Sequence, residues 1–170
     1  ILRLRTEQVG DKTYPMFTST DACTILVIKV DKRGRPLGGW LLKQFGRPEV
    51  PNSDVLKTVG AFCFEGESRV AAAIRTLREK FGVVARIEDL IEIGQVPGFG
   101  PQFQFPISIY LLVNPTFDTS LTRLPGCKPV FYKTAELAEL LVNRRLPFDD
   151  SIDAISTFLA MVHHPHLRCW

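Results

Sequence analysis

The chain has 170 residues, with 21 basic against 18 acidic side chains for a net charge of +3, and 45% of it is hydrophobic. That length buries one sizeable core and is short for two domains, and the composition excludes a disordered or fibrous protein. The longest apolar run, around 107–113, falls far short of the roughly 20 residues of a membrane helix, and the mild positive charge permits nucleic-acid contact without demanding it.

Residues 1–21 read as an N-terminal extension with neither a starting methionine nor a secretory apolar segment, as expected of a chain that begins inside a longer precursor. A single domain is expected over 22–170. Its first strand is the β-branched run Ala22–Val30, followed by the turn-rich DKRGRPLGG and a second strand, WLLKQF. The basic cluster Lys29–Pro36 is weighed as a solvated hairpin tip ahead of a phosphate-contacting patch. A third short strand runs from Ser53 to Gly60, and FEGES forms a compact loop into a helix. There Val70, Ala73, Ile74, Leu77 and Phe81 make one apolar stripe, with Ser68 as N-cap and Gly82 as the terminating C′ glycine.

A strand is expected from Leu90, a loop over Pro97–Gln102, and a strong strand in FQFPISIYLLV. The loop NPTFDTSLTRLPGCK leads to a last strand, PVFYK. Two helices follow, one capped by Thr134 and one carrying Ile152, Ile155, Phe158 and Leu159 at helical spacing. Strands mixed with one central and two late helices predict an α/β sandwich. Cys23, Cys63, Cys127 and Cys169 form no CxxC pair, so neither a zinc site nor a disulfide framework is indicated; Cys23 and Cys63 read as buried thiols in a reducing compartment. The tail HHPHLRCW invites a metal reading, outweighed by that of an ordinary mobile tail. Trp40 and Trp170 read as packing residues, and Phe99, Phe103 and Phe105 as either base-stacking or core side chains.

The stretch AFCFEGESRVAAAIRTLREKFGV, 61–83, resembles the signature of the Nudix hydrolases. With Gly82 as the late glycine, Ala61 takes the first position, Glu67 the first glutamate, Arg75 the arginine, Leu77 the apolar site and Glu79 the first of the later glutamates. WLLKQFGRPEVPNSDVLKTVGAF before the box and VPGFGPQ after it are similar to the ADP-ribose pyrophosphatase branch. The resemblance implies a Nudix-type α/β/α sandwich with a mixed sheet.

Two box carboxylates are missing. Thr76 stands where the family has the glutamate after the arginine, Lys80 where it has the second of the later pair, and Lys57 replaces a further strand glutamate. In the family these glutamates hold a divalent metal against a diphosphate. A hard cation needs anionic oxygens, so a hydroxyl and an ammonium there remove much of the site. The loop 114–128 offers only Asp118 as an acid.

The expectation is a protein with no catalytic residues, metal or cofactor. Glu67 and Arg75 serve as a structural pair, and Glu79 belongs to a solvated ion network. If the chain is a divergent hydrolase of ADP-ribose or a related nucleoside diphosphate derivative, Glu67 and Glu79, with Glu65, would carry catalysis, and Glu79 would hold Mg²⁺. Arg78, Lys80, Phe99 and Phe103 are the ligand-binding candidates, with Arg78 and Lys80 contacting phosphate directly. The degenerate box, basic charge and GWLL strand also resemble the Nudix-fold protein of mitochondrial large ribosomal subunits. That similarity implies a structural or binding subunit with protein partners and potentially RNA, mitochondrial in preference to cytoplasmic. The pyrophosphatase branch leaves a homodimer open.

Overall fold

The computed structural model describes residues 3–9, 12–18, 21–47, 50–97, 106–147 and 149–170. The extension expected over 1–21 forms a hairpin, β1 (Arg3–Val9) against β2 (Lys12–Thr18), in a two-stranded antiparallel sheet of its own.

The main sheet is built around β3 (Ala22–Val30), seven of whose residues in succession are buried. A continuous apolar run of this kind suits a strand covered on both faces. Beside it lies β8 (Pro106–Val113), the parallel partner, and β7 (Leu90–Pro97) closes that edge. On the other side come β4 (Pro36–Arg47) and β5 (Val50–Lys57), with β6 (Val59–Phe62) pairing β3 and β9 (Cys127–Lys133) pairing β4. All of these pairings except β3–β8 are antiparallel.

Helices cover both faces. Against one lie α1 (Arg69–Thr76) and the π-helical turn Leu77–Phe81, burying Ala72, Ala73, Leu77 and Phe81 on Cys23, Ile25, Val27 and Leu42. Against the other lie α2 (Thr134–Val142) and α3 (Asp149–His163), whose Leu137, Ile155 and Phe158 meet Leu26, Ile28 and Leu41. Each large side chain fully buried here contributes about 1.5–3 kcal/mol of apolar transfer. The result is the expected α/β/α sandwich on a mixed sheet.

Several local expectations differ from the structure. The strand placed at 53–60 is two strands, which part at Thr58 and pair with β4 and β3 respectively. The break is held by a buried hydroxyl chain: Thr58 Oγ1 lies 2.6 Å from Thr24 Oγ1 and 2.8 Å from Ser151 Oγ, which also accepts from Thr58 N at 3.1 Å. The single helix expected over 68–81 widens after Thr76 into the π-turn before Gly82 ends it in the left-handed region, φ 67°, and Ile74, expected on its core stripe, lies on the outer side while Ala72 joins the core. Thr134 is the first residue of α2 rather than its cap. The cap is Lys133, whose N–H donates to Glu136 Oε2 at 2.6 Å.

The tail is docked. Arg168 donates to the carbonyls of Met161 and Val162 at the end of α3, while Trp170 packs on Phe158 and donates to Gly34 O at 3.2 Å. The basic cluster is an exposed turn: Asp31 Oδ1 accepts from Arg33 N and Arg35 N at 2.8 Å each, with Gly34 at φ 72°.

Candidate functional site

The loop 63–68 delivers Glu67 to the helix. Phe64 N donates to Glu67 Oε2 at 2.8 Å and Glu67 N to Phe64 O at 3.0 Å, closing a turn that carries Gly66 at φ 76°. Ser68 then caps α1, its hydroxyl accepting from Ala71 N at 3.3 Å, as expected from its place before the apolar stripe. About two turns in, Arg75 returns a forked bond to Glu67, Nε to Oε1 at 2.8 Å and Nη2 to Oε2 at 2.9 Å. Arg75 Nη2 also donates to Phe62 O at 3.2 Å, and the guanidinium lies 3.9 Å over the Phe64 ring.

The side chains of Arg75 and Glu67 keep only 23% and 14% of their exposure. The Arg75 hydrogen bonds hold the Glu67 carboxyl below the usual carboxylate range, and Glu67 in turn raises Arg75. This arrangement ties the strand end, the loop and the helix together.

Thr76 and Lys80 follow one helical turn apart. Thr76 is wholly buried and its Oγ1 has no hydrogen-bond partner. Lys80 Nζ donates to Gly60 O at 2.8 Å, so its ammonium reaches across to β6. Glu79 points elsewhere: its carboxylate is 3.6 Å from Arg75 Nη1 and its side chain is 43% exposed. With Ile74, Arg75, Arg78, Leu121 and Thr122, it lines an open cavity of about 650 Å³ on the outer side of the helix. Arg78 and Lys80 are two positions apart on a helix and diverge, so the structure does not bring these two candidates together on one phosphate. Phe99 and Phe103 lie outside the described residues.

The donor set does not fit a divalent metal. Both Glu67 oxygens are taken by Arg75 and Phe64 N, Glu79 faces Arg75, and the remaining box positions supply a buried hydroxyl and an ammonium. Among the described residues no group of three His, Cys, Asp or Glu comes together that could hold a metal ion, the tail included. Asp118, the one acid of the loop 114–128, accepts from Ser120 N at 2.8 Å and Ser120 Oγ at 2.6 Å, which keeps its carboxyl below the ordinary range.

That loop caps the helix end, a role the sequence did not suggest. Asp118 N donates to Gly82 O and Leu124 N to Glu79 O, both at 2.8 Å, and Arg123 Nε to Phe81 O at 2.9 Å. Helix carbonyls that lack intrahelical donors are satisfied in this way. The glycine at 82 was a legible stop signal, but Arg123, 42 residues from Phe81, left no local trace.

A second polar group was also missed. Arg69 Nη1 donates to buried Ser108 Oγ at 3.3 Å, and Ser108 donates to Glu92 Oε1 at 3.0 Å. Arg69 Nε lies 3.0 Å from Asp21 Oδ2 yet makes no aligned hydrogen bond, so that contact is an ion pair.

The helix–loop–strand arrangement around Glu67 and Arg75, set on this mixed sheet between one helix and two, is the Nudix-type fold. An ADP compounds hydrolase of known crystal structure superposes on it with a TM-score of 0.69, over 99% of this chain and 96% of that one, at 14% sequence identity. The likeness at that identity is one of fold. No protein-family model matches the sequence, and no curated protein does.

Proposed function

We propose that this chain is a catalytically inactive protein of Nudix-type fold that serves as a structural or binding subunit of a larger assembly. One observation carries the reading. At the two helix positions where the resembled hydrolases present carboxylates, this protein has the wholly buried Thr76 and the Lys80 ammonium bonded to Gly60 O. A divalent cation held there would meet a positive charge at hydrogen-bond range of the strand carbonyl and no anionic oxygen in exchange. The Glu67–Arg75 brace, in contrast, keeps its full geometry, as expected where folding rather than catalysis is retained.

The mild positive charge and the resemblance to the Nudix-fold protein of mitochondrial large ribosomal subunits favour a ribonucleoprotein, either a mitochondrial ribosome or an RNA-processing complex. Protein subunits and RNA are the partners this reading names. Two experiments test it. In the first, ADP-ribose, dinucleotides and capped RNA are incubated with Mg²⁺ or Mn²⁺, with Glu79→Gln as the matched control, and turnover no higher than the control is expected. Turnover abolished by the substitution would instead establish a divergent hydrolase using Glu79 on the outer cavity. In the second, native protein is sized from its source; recovery only as a free monomer or dimer would remove the assembly role.

A further inference from the structure

Two segments far apart in sequence meet at one end of the molecule. The turn 31–36 leads from β3 into β4, and residues 156–170 are the second half of α3 and the tail that follows it. Trp170 ties them together: its indole packs on Phe158 of α3 and donates to Gly34 O, 136 residues away. Arg168 fixes the tail a second time, on the carbonyls of Met161 and Val162.

Positive charge gathers where they meet. The two segments hold Lys32, Arg33, Arg35 and Arg168 against Asp31 alone, a surplus equal to the +3 of the whole chain, so all other residues together balance to zero. Asp31 spends its carboxylate inside the turn, accepting from Arg33 N, Arg35 N and Arg35 Nε. Lys32 and Arg33 are exposed, and their side chains pair with no acid among the described residues. Backbone bonds from Asp31 N to Arg35 O and from Gly34 N to Asp31 O close the turn, so these cations project from a fixed frame and less ordering is needed on binding.

Planar groups stand beside them. His163, His164 and His166 are exposed, and the rings of His164 and His166 meet edge to face at 5.7 Å. A chain extends at most about 3.6 Å per residue, so His164, six residues before Trp170, lies within about 22 Å of it. A strand of a few nucleotides can follow a surface of that length.

We infer that the β3–β4 turn and the docked tail form one surface for single-stranded RNA, the cations taking phosphates and the imidazole and guanidinium planes taking unstacked bases. A lipid surface fits less well, because it calls for a broad apolar face that inserts. Among the described residues of 31–37 and 156–170, the exposed large apolar side chains are Leu37 and Leu167. The inference deepens the subunit reading by giving RNA a place on the protein, and rests on that reading for an assembly that contains RNA.

The test is fluorescence anisotropy of a labelled oligouridylate titrated with the full chain at about pH 8. Saturable binding is expected, and with three phosphates held the log affinity should fall against log salt with a slope of about −2. Lys32→Gln combined with Arg33→Gln should weaken binding at least about tenfold at low salt and flatten the slope to about −0.7. His164→Ala combined with His166→Ala should weaken it at least about fivefold and leave the slope unchanged. Trp170→Ala removes no charge, yet should weaken binding at least about threefold by parting the tail from the turn, as two linked half-sites require. Arg144→Gln with Arg145→Gln removes the same charge from exposed positions before the other end of α3, and should bind as the parent does.

Circular dichroism checks each variant. Because the side chains of Lys32 and Arg33 stand clear of the core, their double variant tests the idea even where Trp170→Ala unfolds. No saturable binding, an equal loss in the Arg144 and Arg145 control, or parent affinity in folded Trp170→Ala would overturn the inference. Binding to phosphatidylserine vesicles in place of the oligonucleotide would overturn it in favour of a lipid surface. Recovery of the native protein only as a free monomer or dimer would remove the assembly role alone, since anisotropy reads the surface on the isolated chain.

Discussion

Replacing Glu67 with glutamine separates a structural brace from a catalytic carboxylate. The side chain accepts three hydrogen bonds, two from Arg75 and one from Phe64 N, all at 2.8–2.9 Å. Glutamine keeps the shape but has one acceptor oxygen and no charge, so the forked bond to Arg75 becomes a single neutral contact and an amide faces a donor. A hydrogen bond to a charged group is worth about 1.5–3 kcal/mol, and with 14% and 23% of the two side chains exposed solvent discounts the upper end, leaving a loss of about 2 kcal/mol. For a domain of this size that lowers Tm by about 4–8 °C.

The effect has a pH signature of definite sign. The folded carboxyl of Glu67 titrates below its ordinary value, so its stabilisation is complete above the unfolded pKa of about 4.3 and is lost as pH falls through the folded one. Thermal unfolding followed by circular dichroism at neutral and acid pH reads both. The parent should exceed Glu67→Gln at pH 7, and the gap should close below about pH 4. A gap of less than about 1 °C at pH 7, or one that stays constant into strong acid, would refute the brace.

Three further outcomes follow from the packing. Gly82→Ala should cost about 1–3 kcal/mol in urea unfolding, because φ is +67° and the new Cβ would meet Arg123 Nε at 2.9 Å; an unchanged midpoint would show that the loop 114–126 does not constrain the helix end. Ser151→Ala should cost about 1–3 kcal/mol by removing the buried partner of Thr58 N and leaving Thr58 Oγ1 with Thr24 Oγ1 alone, read as a fall in Tm, and an unchanged Tm would exclude the hydroxyl chain as the tie between α3 and the sheet. Burial raises the Cys23 thiol to about 12, so iodoacetamide at pH 8 should label exposed Cys169 and leave Cys23 and Cys63 intact by mass spectrometry; comparable labelling of Cys23 would contradict its buried placement.

Much of this architecture was legible because it is written locally. The β-branched run of β3, the core positions Val70, Ala73, Leu77 and Phe81, Ser68 as cap and Gly82 as stop all sit within a few residues of what they specify, whereas Ile74, expected on the same stripe, faces the outer cavity. The partners of Lys80 and Arg123 were not legible, since Gly60 is 20 residues from Lys80 and Phe81 is 42 from Arg123. The division of the strand at Thr58 escaped notice for the same reason: its cause is Ser151, 93 residues on. The tail reads as polar and mobile in sequence, yet Arg168 on the carbonyls of Met161 and Val162 and the Trp170 indole on Phe158 and Gly34 dock it. Thr134 misled because the cap interaction comes from the Glu136 side chain to the preceding N–H, which leaves the Thr134 hydroxyl itself buried and unpartnered.

Thr76 carries the same lesson into energetics and function. A hydroxyl with no partner and no exposure costs about 1–3 kcal/mol to bury on the scale of protein substitutions, and valine has nearly its shape and a similar helix propensity. Thr76→Val should therefore raise stability by about 1 kcal/mol, or about 2–4 °C in Tm by thermal unfolding. A hydroxyl kept for a hydrogen bond would show the opposite pattern, with unchanged or lower stability. Stabilisation would mean that the helix face that bears metal ligands in the resembled hydrolases has here been divided, Thr76 closing into the core while Lys80 reaches across to Gly60 O of β6. Loss of stability in Thr76→Val would overturn that division, because it would require a hydrogen bond that the hydroxyl makes only in solution.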